Sequence, residues 1–133
     1  MFVAAMVLLG TGIFMHFFVL HQRKRQDQKK RAASYQAIFA SIADQVKPGI
    51  TRQATEEFLH AKAISYTQRS GKGTWDDFTI LGRESSPVWF CNWQDTIILY
   101  TFRKSPTRPA KYVADPDDVL ESVTLQPWMQ QCL

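Results

Sequence analysis

The first twenty positions read MFVAAMVLLGTGIFMHFFVL, an apolar run whose only polar members are Thr11 and His16. Residues 1–21 hold no Lys, Arg, Asp or Glu. A helix rises about 1.5 Å per residue, so a run of this length matches the roughly 30 Å hydrocarbon core of a bilayer. A helix apolar on every face suits lipid better than the core of so short a chain. Further along, the period changes. Tyr35, Ile38, Phe39, Ile42 and Val46 recur at helical spacing, which predicts one apolar face of a helix over 32–46. Lys47-Pro48-Gly49 ends it, because the residue before proline avoids the α region. Thr51 is the expected N-cap of a second helix ending near 62–63. Ala54, Phe58, Leu59 and Ala61 are its expected buried side, and Glu56 and Glu57 lie near its positive end.

From Ile64 the apolar positions alternate, as in strands. Residues 64–67 predict a short strand and 69–74 a Gly-containing loop. Residues 77–81 set Phe78 and Ile80 against Thr79 and Leu81, and 83–87 is a turn. Residues 88–93 and 96–102 predict two aromatic-rich strands joined at Gln94-Asp95, with Trp89, Cys91 and Trp93 on one face and Ile98, Tyr100 and Phe102 on another. Three prolines make 104–118 an exposed connection, and 119–125 closes the sheet. The expected fold class is α+β: an N-terminal transmembrane helix, then two helices packed on a mostly antiparallel sheet of four or five strands. The expected domains are an anchor over 1–21, a basic juxtamembrane linker over 22–33 and a small globular domain over 34–133.

Charge sharpens this division. The chain of 133 residues carries a net charge of +4, with 45% hydrophobic and 21% charged residues, which excludes a disordered chain. Residues 21–31 hold Arg23, Lys24, Arg25, Lys29, Lys30 and Arg31 against Asp27. The remaining 32–133 are slightly acidic, which argues against a nucleic-acid surface. The six basic side chains are expected to meet anionic lipid head groups, and such a flank favours the cytoplasmic side. The apolar run is longer than a signal-peptide core and has no basic residue before it, so an uncleaved single-pass anchor is expected.

Pro48-Gly49-Ile50-Thr51-Arg52, followed by Glu56 and Leu59, resembles the helix-start turn of the small BamE-like outer-membrane assembly lipoproteins and of β-lactamase-inhibitor-protein-like domains. Asp76-Asp77-Phe78, Ile80-Leu81-Gly82, Pro87-Val88-Trp89-Phe90-Cys91 and Gln131-Cys132-Leu133 are similar to segments of single-pass bacterial membrane proteins with the same layout. The resemblance covers roughly residues 34–133. It implies two helices followed by an antiparallel sheet, protein–protein contact without enzyme activity, and an extracytoplasmic domain. The chain departs from the lipoproteins in having no lipidation cysteine after the apolar run.

Candidate chemistry is sparse. Cys91 and Cys132 form a disulfide if the domain faces an oxidising compartment and stay reduced if it faces the cytoplasm. Asp76 and Asp77 are neighbours on an extended segment, so they point to opposite faces and do not make an acid–base pair; a turn exit or sheet edge is expected there. Ser70-Gly71-Lys72-Gly73-Thr74 lacks the spacing of a phosphate loop. The three histidines are too scattered for a zinc site, and no cofactor is expected. Of four tryptophans, Trp128 with Met129 is the candidate partner contact. The expected function is a membrane-anchored, non-catalytic protein-binding or scaffold module, contacting lipid through the anchor and basic run and an unidentified protein through its domain. The alternatives are a small membrane-bound enzyme using Cys91 or the Asp76/Asp77 region, and a lipid-sensing regulator acting through the basic run.

Overall fold

No proline or glycine interrupts residues 13–47, and a chain rich in Gln, Lys, Arg and Ala has no reason to leave the helix there. In the computed structural model a single helix, α1 (Phe2–Gln45), accordingly runs through the whole N-terminal third. The structure describes the backbone of residues 2–71, 74–104 and 113–133, with their side chains apart from 2–14, 17, 70, 71 and 74. Two compact units result, residues 1–36 and 37–133. The first is helical from Phe2, and its six basic residues Arg23, Lys24, Arg25, Lys29, Lys30 and Arg31 are all exposed. The stretch 22–33, expected as a linker between domains, is helix throughout. Among the described residues no helix is long and apolar enough to cross a membrane. The expected anchor falls on residues 1–21, most of whose side chains lie outside the described ones.

The second unit is α+β, with helical segments packed on one side of a four-stranded antiparallel meander. Its remaining elements are α2 (Arg52–Ala61), β1 (Thr67–Gly71), β2 (Thr74–Ser85), β3 (Cys91–Arg103) and β4 (Val119–Cys132), in sheet order β1-β2-β3-β4. Ile42 of α1, Val46 just past its end and Leu59 of α2 meet Ile98, Tyr100 and Phe102 of β3 and Leu120 of β4 to form the core. Phe39, Phe58, Leu81 and Val123 flank it. The period-two reading of Ile98, Tyr100 and Phe102 therefore holds, and these three define the helix-covered face.

Several local expectations do not hold. The hairpin placed at Gln94-Asp95 does not exist: 91–103 is one strand, and the chain reverses instead at 86–90. Asp95 tolerates the strand interior because Arg83 reaches it from β2 with two bonds, Nε to Oδ1 at 2.7 Å and Nη2 to Oδ2 at 2.9 Å. The real turn is built on Ser86-Pro87, where the Ser86 hydroxyl accepts from Val88 N–H at 3.0 Å. Thr67–Gly71 and the stretch from Thr74 are strands, so most of the loop expected over 69–74 is not loop; its residues 72–73 lie outside the described residues, as do 105–112 of the expected connection. Asp76 and Asp77 sit inside β2, a central strand, rather than at a turn exit or sheet edge.

Helix α2 starts as its sequence dictates, with the Thr51 hydroxyl accepting from Ala54 N–H at 3.2 Å. Its buried side is nevertheless Arg52, Thr55 and Leu59, while Ala54 and Ala61 are exposed. At its end Ile64 N–H donates to the Leu59 carbonyl across Ala63, which has φ +55°. Glycine takes that left-handed conformation without the Cβ penalty. Ala63→Gly is expected to leave the fold intact and raise its stability by up to about 1 kcal/mol in a thermal melt.

Candidate functional site

Arg52 is the most unusual residue of the domain: its guanidinium is buried, on a helix face that pattern reading assigns to apolar residues. Five groups hold it. Nη1 donates to Asp77 Oδ1 at 2.5 Å, and Nη2 donates to the Trp75 carbonyl. Asp118 Oδ2 lies 3.5 Å from Nε and Glu56 Oε1 lies 4.0 Å from Nη1. The ring of Phe102 stacks 3.9 Å beneath the guanidinium carbon. The arrangement ties α2 to β2, β3 and the 115–118 turn. That turn also satisfies the start of the helix: Arg52 N–H donates to the Asp118 carbonyl at 2.7 Å, and Gln53 N–H to the Pro116 carbonyl at 3.1 Å. The first donors of α2 are thus consumed by the protein itself rather than offered to an anion.

Asp77 is fully buried beside this cation. Burial pushes its carboxyl up to about 7, the Arg52 charge opposes the rise, and the Glu56 carboxylate adds to it. A group with this raised folded value holds a proton that the unfolded chain releases near pH 4, so between about pH 4 and 7 stability falls as pH rises. Asp77→Asn is expected to flatten that slope, as measured by urea unfolding at pH 5 and pH 8. An unchanged slope would assign it to another group.

A cleft of about 430 Å³ opens beside the cluster, lined by Arg52, Gln53, Glu56, Gln68, Trp75 and Pro116 among others. Its polar groups largely bond one another: Gln68 Nε2 donates to Glu56 Oε1 at 3.0 Å. Among the described residues no group of three or more His, Cys, Asp or Glu is placed to hold a metal ion. Asp76 and Asp77 face opposite sides of β2, because Asp76 pairs across from Arg69 and Asp77 from Tyr100. They do not act on one substrate atom together.

The face of the sheet away from the helices is different in kind. Register places Arg69, Phe78, Ile80, Arg83, Trp93, Asp95, Ile97 and Trp128 on it. Phe78, Ile97 and Asp95 are buried there, while Ile80 and Trp93 are 46% and 41% exposed. Trp128 packs edge-on against Phe78 with ring centroids 4.9 Å apart, and the Arg69 guanidinium lies 4.5 Å over its ring. Trp128 is therefore half-buried within this face. Met129, its sequence neighbour, points to the other side and takes a bond from the Ser86 hydroxyl at 3.6 Å. The two do not make one patch, as alternation along a strand requires.

Cys91 and Cys132 face each other across β3 and β4 and are joined as a disulfide. Next to them, Trp89 at the 86–90 turn is 91% exposed, with Phe90 against it at 5.7 Å. Sequence reading placed Trp89 in a strand beside Cys91; the proline at 87 is the signal that a turn intervenes. Arg52 was legible only as part of a resemblance, and nothing in its spacing marks it as buried. No protein-family model, curated protein or solved structure matches the chain.

Proposed function

We propose that this is a membrane-tethered, non-catalytic binding module that docks a protein partner on the helix-free face of its sheet. The observation that carries the reading is the character of that face. It combines exposed Trp93 and Ile80 with the Arg69–Trp128 stack, the residue types that dominate binding energy at protein interfaces. The sheet edge is a poorer docking element, since Pro127 removes a donor from β4 and a bulge interrupts it near Glu121. A non-catalytic role is supported by the chemistry already engaged elsewhere: Cys91 is in a disulfide and Asp77 is bonded to Arg52.

Residues 1–21 supply the tether in this reading, and Arg23, Lys24, Arg25, Lys29, Lys30 and Arg31 contact anionic head groups beside it. The disulfide supports an extracytoplasmic domain, because such bonds persist in oxidising compartments. It outweighs the basic flank, whose influence on orientation is a bias among several. The test is a photo-crosslinker at Ile80, compared with one at Glu57 on the exposed side of α2, in intact membranes of the source cell. One recurring partner captured at Ile80 and not at Glu57 is expected. Repeated capture of nothing at Ile80 would refute the docking face. Release of the chain by alkaline washing of the membranes would refute the tether.

A further inference from the structure

The 86–90 turn carries the most exposed aromatic side chain among the described residues, and the helix-free face does not account for it. Trp89 stands 91% exposed at its apex, Phe90 is 42% exposed beside it, and their rings meet edge to face at 90°. The turn is braced from several directions. Cys91 N–H donates to the Val88 carbonyl at 3.1 Å and Ser86 N–H to the Asn92 carbonyl at 3.2 Å. Leu133 N–H donates to the Phe90 carbonyl at 2.9 Å, Asn92 Nδ2 donates to Gln131 Oε1 at 3.1 Å, and the Cys91–Cys132 disulfide fixes the base. Two aromatic side chains are thus held in water by a rigid mount, so ordering them on contact costs little.

The composition around the mount points to its occupant. No charged side chain occurs in residues 85–94 or 129–133, which build the tip at this end of the sheet; the nearest charges, Glu84 opposite Gln94 and the Arg83–Asp95 pair, lie behind it. Serine, asparagine and glutamine surround the aromatics instead. Protein hot spots pair tryptophan with arginine, and the helix-free face has that pairing whereas the turn does not. An uncharged loop tip with Trp and Phe at its apex matches the bilayer interface, where amphipathic rings settle at head-group level and no charge has to be desolvated. We infer that the Trp89–Phe90 turn is a second, peripheral membrane contact that inserts its two rings into the interfacial zone of a phospholipid bilayer. This rests on the tethered reading, since a tether confines the domain near lipid and makes even a weak contact effective.

The test uses the full chain reconstituted into vesicles of phosphatidylcholine and phosphatidylglycerol, with and without brominated acyl chains. Trp89→Ser serves as the reference, a change at a nearly fully exposed side chain that is expected to leave the thermal melt unmoved. The difference in emission between wild type and variant isolates Trp89. The expected result is that this difference is blue-shifted on reconstitution and loses most of its intensity to the brominated lipid. A difference spectrum that keeps its water-exposed position and ignores the bromine would overturn the inference while leaving the tether intact, provided the chain still floats with the vesicles after an alkaline wash. Failure to float would remove the tether, and with it the basis for the turn's role. Capture of a protein by a crosslinker at Trp89 in intact membranes, with no quenching by lipid, would reassign the turn to that protein.

Discussion

Arg52→Met is expected to destabilise the domain by about 3–5 kcal/mol at pH 8, the range for breaking one side of a buried ion pair, and by clearly less at pH 5. The substitution keeps a long apolar stem against Phe102 but removes the cation from Asp77, Glu56 and Asp118. It also strips the Trp75 carbonyl of its donor. At pH 8 Asp77 is then a fully buried carboxylate with no counter-charge. At pH 5 it is protonated, since burial already holds its value near 7 with Arg52 present and the loss of that charge raises it further. The pH dependence separates lost charge pairing from lost packing, which would cost the same at both values. The double replacement Arg52→Met with Asp77→Leu is expected to recover much of the loss, because an apolar pair of similar volume avoids both desolvation penalties. Urea unfolding of the full chain in detergent, followed by tryptophan emission, measures all three. A single variant with equal cost at both pH values would show that Asp77 does not titrate in this range.

The same residue marks the limit of what the sequence discloses. Apolar periodicity reports where a side chain lowers the free energy by leaving water, and it located Ile42, Val46, Leu59, Ile98, Tyr100 and Phe102 in the core. It is blind to a polar group whose burial is compensated by partners distant in sequence. Arg52 meets Asp77 twenty-five residues away, and Arg83 meets Asp95 across a turn. Before pairing is known, Gln94-Asp95 reads as a turn and Ala54 reads as more buried than Arg52. Thr51 as a cap and Pro48 as a helix terminator were legible because their effects act within a few residues. The helix-free face was half legible: the aromatic richness of β3 and β4 is plain, but which aromatics emerge depends on register. Trp128 is sheltered by Phe78 and Arg69, whereas Trp89 leaves the sheet at Pro87. Residue type announced an aromatic surface, and only the strand pairing says which rings compose it.

Removing the disulfide by Cys91→Ala with Cys132→Ala is expected to cost about 2–4 kcal/mol in a thermal or urea melt, with the chain-entropy estimate for the 41-residue separation near the top of that range. The loss acts mainly through the unfolded chain, which regains the freedom that the closed loop denied it. A local effect accompanies it. The bond holds the last pair of the β3–β4 ladder beside the Phe90–Leu133 contact, so amide exchange at Gln130 and Leu133 should quicken more than at Val123, deeper in the sheet. Uniform quickening would instead mean that the bond acts on global stability alone. The double variant is the right comparison, since a single replacement leaves a reactive thiol. The compartment decides whether the protein ever has this stabilisation, because a reducing cytoplasm would keep both sulfurs as thiols. Alkylation of intact cells before lysis therefore reads the side of the membrane as well as the chemistry. Both cysteines should resist the reagent until a reductant is added, and labelling without reductant would put the domain on the side that the basic flank of residues 23–31 favours.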